Sequence, residues 1–403
     1  MRFQFIHAAD LHIDSPLAAL GLKDARIAAT FAAAGRRAVE QLVEATIESG
    51  SKFLIVAGDV FDGDWRDVST GLFFVRELGR LDRAGVKTFL IKGNHDAENR
   101  MSRRLDYPAS AHVFDARRCE TRHIEELRVA LHGRSFADRE APPDFLSSYA
   151  PRREGWLNIG LLHTSLEGAP GHDPYAPCKV EDLARFGYDY WALGHIHAAA
   201  IVARDPWIVY PGNLQGRHAR ETGPKGAMRV SVEDGRVVAV EPIPLDAARW
   251  AHEQIDVTGL VEEEAVLARI GETLAEAARA AEGRPLAVRI TLSGETPAHA
   301  RLVARRDELL DEARGRAVAA GECWVEKLRL ETRPPAAPPA DADAFDVAGL
   351  LADAADEEFV AEIAALAASV ADKLPRELRD AFLAIDPALR AAEARDLVAG
   401  ARA

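Results

Sequence analysis

Along the first 245 positions, short apolar runs alternate with longer amphipathic stretches, and each run stops at a polar or glycine-containing cluster. The runs at residues 3–8, 53–56, 88–91, 158–162 and 190–193 have the length and character of buried strands. Residues 25–49 carry apolar side chains at helical spacing and close on Gly50, which predicts a helix. Runs at 227–232 and 236–240 flank Glu233-Asp234-Gly235, a hairpin signal. Short buried strands feeding polar loops predict an α/β domain whose active site sits where the strands end.

The periodicity then changes. Residues 254–257, 286–292 and 324–330 read as strands, separated by helical stretches near 261–281 and 298–319. That β-α-β-α-β order predicts a small accessory domain. The run TRPPAAPPADADA, residues 332–344, breaks both periods and reads as a semi-rigid linker. Beyond it, residues 345–371 and 377–401 are Ala-rich and helical in pattern, interrupted by Pro375 and Pro387. Four segments are therefore predicted: a catalytic domain over 1–245, a capping domain over 246–332, a linker over 333–344 and a helical tail over 345–403. No internal repeat is visible.

Composition narrows the class. A chain of 403 residues is too long for one ordinary core, and 48% apolar with 28% charged residues is a globular balance. No apolar run is long enough to span a bilayer, so no membrane role is expected. The opening MRFQFIHAAD meets His and Asp within ten residues and predicts no secretory leader; a cytoplasmic location is expected. Cys119, Cys178 and Cys323 are odd in number and far apart, which excludes a disulfide framework or a Cys-rich zinc module. The net charge of −14 argues at first against nucleic acid. Residues 340–403, with 14 acidic and 6 basic side chains, carry −8 of it, so the objection weakens for the rest. Of the 50 basic residues 42 are Arg, a bias that suits phosphate but that GC-rich coding also produces.

Five polar clusters follow the strand-like runs: Asp10-Leu11-His12, Gly58-Asp59-Val60-Phe61-Asp62, Gly93-Asn94-His95-Asp96, His163, and Gly194-His195-Ile196-His197. Singly, each is weak: a lone His after a strand is more often a hydrogen-bonded core residue, and Asp-x-His is a common turn. Five in order at strand ends predict a dinuclear metal site. Oxygen and imidazole ligands together suit Mn²⁺, Fe²⁺ or Zn²⁺ better than Mg²⁺ or Ca²⁺, and Mn²⁺ is the ion expected, with Fe²⁺ or Zn²⁺ as alternatives. A ligand shared by two cations should be a carboxylate, and Asp59 is the central candidate. Two residues apart on an extended backbone share a side, so Asp10 and His12 can grip one ion. His195 and His197 can do the same, or diverge to serve one ion each.

These clusters resemble those of the calcineurin-like metallophosphoesterase superfamily, and within it the bacterial DNA repair exonucleases of the SbcD and YhaO type. FIHAADLHIDSPL and PGNLQGRHARETGPKG are especially similar to the YhaO branch. The resemblance covers roughly residues 1–245, matches the second module in pattern only, and leaves the last sixty residues unassigned. It implies a four-layer core of two β-sheets flanked by helices. It also implies that Asp10, His12 and His197 hold one ion, and Asn94, His163 and His195 the other, with Asp59 bridging. His95 would be the acid beside the scissile phosphate and Asp62 the carboxylate that orients it. The implied cofactors are two divalent ions. The implied partners are DNA and an SMC-like ATPase subunit docked by the tail, with homodimerisation left open.

Other residues carry less. Arg217 and His218 could contact a DNA phosphate or lie in a solvated loop, and Trp65 could stack on a base or simply pack. His7, His112, His123, His132, His172, His252 and His299 read as structural or surface residues. Three functions compete: a DNA exonuclease working with an ATPase, a small-molecule phosphatase or cyclic-nucleotide phosphodiesterase of the same superfamily, and a scaffold without turnover. The added module and tail favour DNA, and no ligand position is visibly replaced.

Overall fold

The computed structural model describes residues 1–15, 25–63, 68–98, 105–139, 142, 145–166, 178–335 and 357–371, with single positions 379, 382, 383 and 390. Trp65, His172, the greater part of the linker and most of the tail lie outside these residues.

Two six-stranded sheets build the first unit. In one, β1 (Arg2–Ala8), β2 (Phe53–Ala57), β3 (Lys87–Ile91) and β4 (Ala111–Val113) run parallel. The hairpin β11 (Gly226–Glu233) and β12 (Arg236–Pro244) adds antiparallel to β1, giving the order β12-β11-β1-β2-β3-β4. In the other, β6 (Val129–Gly133), β7 (Leu157–His163), β8 (Tyr190–Gly194) and β10 (Trp207–Tyr210) are parallel. Its edges are the antiparallel β5 (Glu120–Ile124) and β9 (Ala200–Arg204), in the order β5-β6-β7-β8-β10-β9.

Burial explains why the sequence pattern is readable. Phe53, Ile55 and Ala57 of β2 pack with Phe5, Leu131, Ile159 and Tyr190 between the sheets. Leu54 and Val56 face the other way, against Val39 and Leu42 of α1 (Ala25–Glu48) and Phe74 and Leu78 of α2 (Ser69–Arg83). A strand covered on both faces is apolar throughout, as FLIVA is. The second sheet's outer face is closed by Leu183 of α4 (Val180–Arg185) with Tyr149 and Tyr188, packed on Trp191 and Leu193. The order is helix, sheet, sheet, helix, the four-layer α/β core that was expected.

The sequence reading omits α2, α4 and strands β4, β5, β6, β9 and β10. The strand β6, VALHG, is buried at all five positions, yet His132 and Gly133 interrupt its apolar run. Edge strands such as β9 alternate exposed and half-buried positions and give no continuous run.

The chain divides into two compact units: Met1–His252 with Ala277–Arg289 and Gly321–Glu326, and Glu253–Glu276 with Ile290–Ala320 and Lys327–Ala403. After the first 245 residues come β13 (Arg249–Asp256), α5 (Glu263–Ala280), β14 (Leu286–Glu295), α6 (His299–Ala304), α7 (Arg306–Ala319) and β15 (Cys323–Arg333). The three strands form one sheet in that order. The single helix expected over 298–319 is two, broken at Arg305, whose φ of −110° and ψ of 26° leave the helical region. In the tail, Glu357–Ala371 is a helix, α8, as its composition predicts. Among the described residues no helix is long and apolar enough to cross a membrane.

Candidate metal centre

Parallel strands side by side deliver the loops at their carboxyl ends to one edge, and here both sheets do so. Asp10 and His12 follow β1, Asp59 follows β2, Asn94 and His95 open α3 (Asn94–Glu98) after β3, His163 ends β7, and His195 and His197 follow β8. Asp10, His12, Asp59, Asn94 and His163 are buried, and His195 and His197 are half-buried.

The loops are not extended. Asp10, His12, Asp59 and His195 have φ of 52°, 42°, 52° and 95°, the left-handed region where a non-glycine residue costs roughly 1–3 kcal/mol. Asp10 and His12 thus meet for a reason other than strand alternation. The N–H groups of Asp10, His12 and Ile13 donate to the carbonyls of Gly58, Asp59 and Val60 at 3.0, 3.1 and 3.0 Å, so the first loop is zipped to the second. Local pairing offsets the unfavourable dihedrals.

Two glycines make room. A Cβ on Gly93 would stand 2.2 Å from Asp59 Oδ1, and one on Gly194 would stand 2.0 Å from the Ala57 carbonyl oxygen and 2.8 Å from His163 Nδ1. Gly194→Ala is therefore expected to destabilise the protein by about 3 kcal/mol, the upper range for overpacking, and to displace His163. Urea unfolding measures it; a loss below about 0.5 kcal/mol would mean that the strands can part at no cost.

Two groups of donors converge. Asp10, His12 and His197 form one and Asp59, His163 and His195 the other, with ligand atoms in each group all within 4.8 Å of one another. The Oδ2 atom of Asp59 lies 3.2 Å from His163 Nε2 and 3.9 Å from His12 Nε2, and so between the groups. Asn94 Oδ1 is 3.1 Å from His163 Nε2.

The chemistry of the donor set fits cations. His163 Nδ1 donates to the Ala57 carbonyl at 2.9 Å, which leaves the Nε2 lone pair facing the oxygens of Asp59 and Asn94. His197 Nδ1 donates to Glu221 Oε1 at 2.7 Å, and its Nε2 faces His12 Nε2 at 3.2 Å. Three acceptors around one point, and two facing imidazoles at the other, each need a positive centre among them. For the side chains alone, protons fill that need. Burial disfavours an imidazolium at His163, but the charge and hydrogen bond of Asp59 outweigh it and push its pKa up to about 9. Burial would likewise raise Asp59, and His163 holds it well below the carboxylate range instead. Asp10 is pushed up to about 6, chiefly by burial against the opposing charges of His197 and His163. Metal ions with bonds near 2.0–2.2 Å would replace those protons.

Beside the first group, His95 Nδ1 donates to Asp62 Oδ1 at 2.9 Å. That bond raises the pKa of His95 above its ordinary value and lowers that of Asp62. The second oxygen, Asp62 Oδ2, accepts from Ser15 Oγ at 2.6 Å and lies 3.4 Å from Arg217 Nη1. Arg217 thus reaches the site, whereas His218 stays half exposed at the rim, 3.6 Å from Glu221. Four of the histidines read as structural or surface residues are paired elsewhere: His7 with Tyr190 and the Leu193 carbonyl, His112 with Glu120, His132 with Thr121 and Asn158, and His299 with Thr332.

Two site residues carry no role in the sequence reading. Asp96 is buried and accepts the N–H groups of Val60, Phe61 and Gly93 at 3.1, 2.8 and 3.1 Å, tying the second cluster to the third. Burial and the Asp59 charge push it up to about 6 against those donors. Glu221 grips His197; burial opposes its ionisation, but the bond from His197 brings it down to about 2. Asp96 lies inside a recognised cluster, which is a signal in itself. Glu221 sits in the Gly- and Arg-rich segment after β10, with no period or spacing to mark it.

The sequence family described as calcineurin-like phosphoesterase matches residues 3–199, which include all seven metal-ligand candidates. The family described as the middle domain of the metallophosphoesterase YhaO matches residues 250–333. The metallophosphoesterase YhaO of Bacillus subtilis (strain 168) is 33% identical over 297 residues, covering 73% of this chain and 72% of that protein. The DNA double-strand break repair protein Mre11 of Methanopyrus kandleri is 24% identical over 301 residues, 66% of this chain and 61% of that one. Among solved structures, a dimetal phosphatase from Danio rerio aligns with a TM-score of 0.36 and 12% identity over 60% of this chain and 99% of its own. With this identity and coverage to YhaO, the chain belongs to the calcineurin-like metallophosphoesterases, metal-dependent phosphoester hydrolases with a dinuclear centre, and is of the YhaO type.

Proposed function

We propose that this protein is a Mn²⁺-dependent phosphodiesterase acting on DNA, an exonuclease in DNA repair that works with an SMC-like ATPase subunit. The observation that carries the hydrolytic part is the His95–Asp62 pair: an imidazole 2.9 Å from a carboxylate that raises its pKa, its ring centroid 5.2 Å from that of His12. In this reading Asp10, His12 and His197 hold one ion, Asn94, His163 and His195 the other, and Asp59 serves both. Bound there, divalent ions supply Lewis acidity toward phosphate oxygens and acidify water. His95 gives its proton to the departing sugar oxygen, and Asp62 keeps that proton in place and the ring turned. Arg217, whose Nη atoms make contacts of only 3.4–3.8 Å, offers its donors to a phosphate oxygen.

For DNA, support comes from the relatives named as double-strand break repair proteins, at 24% and 23% identity, and from the module and tail that a small-molecule esterase does not need. The test is an assay of the full chain with Mn²⁺ on linear duplex DNA, an aryl phosphodiester and a cyclic nucleotide. Progressive shortening of the duplex is expected; turnover of the small esters with intact DNA would move the assignment to a small-molecule phosphodiesterase. Deleting everything after Pro339 is expected to leave cleavage intact and to abolish co-purification with the ATPase. Retained co-purification would strip the tail of that role.

A further inference from the structure

We infer that Glu221 is a positioning residue that ties the ion site of Asp10, His12 and His197 to the phosphate-facing Arg217. The inference rests on the phosphodiesterase reading for Arg217 but not for His197.

Glu221 is buried, and each of its oxygens is engaged. Oε1 accepts His197 Nδ1 at 2.7 Å, while Oε2 accepts the Arg217 main-chain N–H at 2.7 Å and Asn213 Nδ2 at 2.9 Å. Its own N–H donates to the His218 carbonyl at 2.9 Å, closing the turn that carries Arg217. One carboxylate therefore joins the loop after β8, with His197, to two parts of the segment after β10, Asn213 and the turn over residues 217–221.

Each contact has a separate effect. The bond to Nδ1 fixes the His197 tautomer, so that Nε2 presents its lone pair and a more basic nitrogen to an ion. The bond to the Arg217 N–H fixes where that side chain starts. Its guanidinium then lies with Nη1 3.4 Å from Asp62 Oδ2 and Nη2 3.5 Å from His197 Nδ1. Arg217 Nε is buried without a hydrogen-bond partner among the described residues, and such a donor is costly unless an anion completes it. Loss of Glu221 would thus loosen a metal ligand and misplace an anion contact together.

The test uses the full chain carrying Glu221→Gln, which keeps the shape but presents an amide that cannot accept all three donors. Metal-free protein is titrated with Mn²⁺ by calorimetry, with bound metal counted after dialysis. One of the two ions is expected to bind roughly 10–100-fold more weakly while the other is unchanged, the usual effect of removing a carboxylate behind a metal-bound imidazole. At saturating Mn²⁺, KM for an aryl phosphodiester is expected to rise more than kcat falls. Wild-type affinity for both ions overturns the inference, and so does equal weakening of both. If Glu221→Gln does not fold, as judged by the melting of the metal-free chain, Glu221→Asp carries the same comparison. The nuclease reading fails separately: wild-type protein that cleaves no DNA leaves the ion titration, and the role of Glu221 in it, intact.

Discussion

Replacing Asp59 with asparagine is expected to strip the centre of both ions. The substitution keeps the shape of the side chain but removes the negative charge whose Oδ2 lies 3.2 Å from His163 Nε2 and 3.9 Å from His12 Nε2. Losing a carboxylate that only supports a ligand costs roughly 10–100-fold in affinity, so losing one shared by both groups should cost more than about 100-fold at each. His163 would change as well, because the Asp59 charge is what holds its pKa up at about 9. Metal content after dialysis is the measurement. Two ions per chain in Asp59→Asn would reject the shared site, and loss of only one would assign Asp59 to a single ion.

His95→Asn is expected to act the other way round, with both ions kept and turnover down by roughly 10²–10⁴, the range for a missing general acid. Its hydrogen bond to the ligand candidate Asp59 is made by its main chain, where its N–H donates to Oδ1 at 3.0 Å, a contact that asparagine preserves. The companion change is Asp62→Asn. A general acid works while protonated, and the Asp62 bond raises the pKa of His95, so the wild-type rate should hold to higher pH than a free imidazole allows. Without that bond the alkaline limb of kcat/KM should move to lower pH. An unmoved limb would take the proton away from His95, and lost metal in His95→Asn would make it a ligand.

The seven ligand candidates are legible because chemistry sits where the apolar pattern stops, and covered strands such as FLIVA stop abruptly. The alternation gives the α/β class; the four-layer order comes from the family resemblance. Less is visible wherever a contact joins distant segments without a pattern of its own. The hydrogen bonds to Asp96 and Glu221 depend on how separate loops are zipped together, and no local spacing encodes that. Arg217 looks like a loop residue because its partners are Asp62 and Ser15, 155 and 202 positions earlier. The extended backbone expected for Asp10-x-His12 is wrong for a related reason: the dihedrals are set by pairing with residues 58–60.

Each donor group draws on both sheets. Asp10 and His12 leave one sheet and His197 the other; Asp59 and Asn94 leave the first, His163 and His195 the second. An ion held by either group would consequently be a rivet across the sandwich. Each site filled at about a hundred times its dissociation constant adds about 2.7 kcal/mol to folding, a sizeable share of what a domain has in total. Metal supply would then govern more than turnover: in a starved cell the two halves of the sandwich would part more readily, proteases would find the opened edge, and the amount of protein would fall along with its activity.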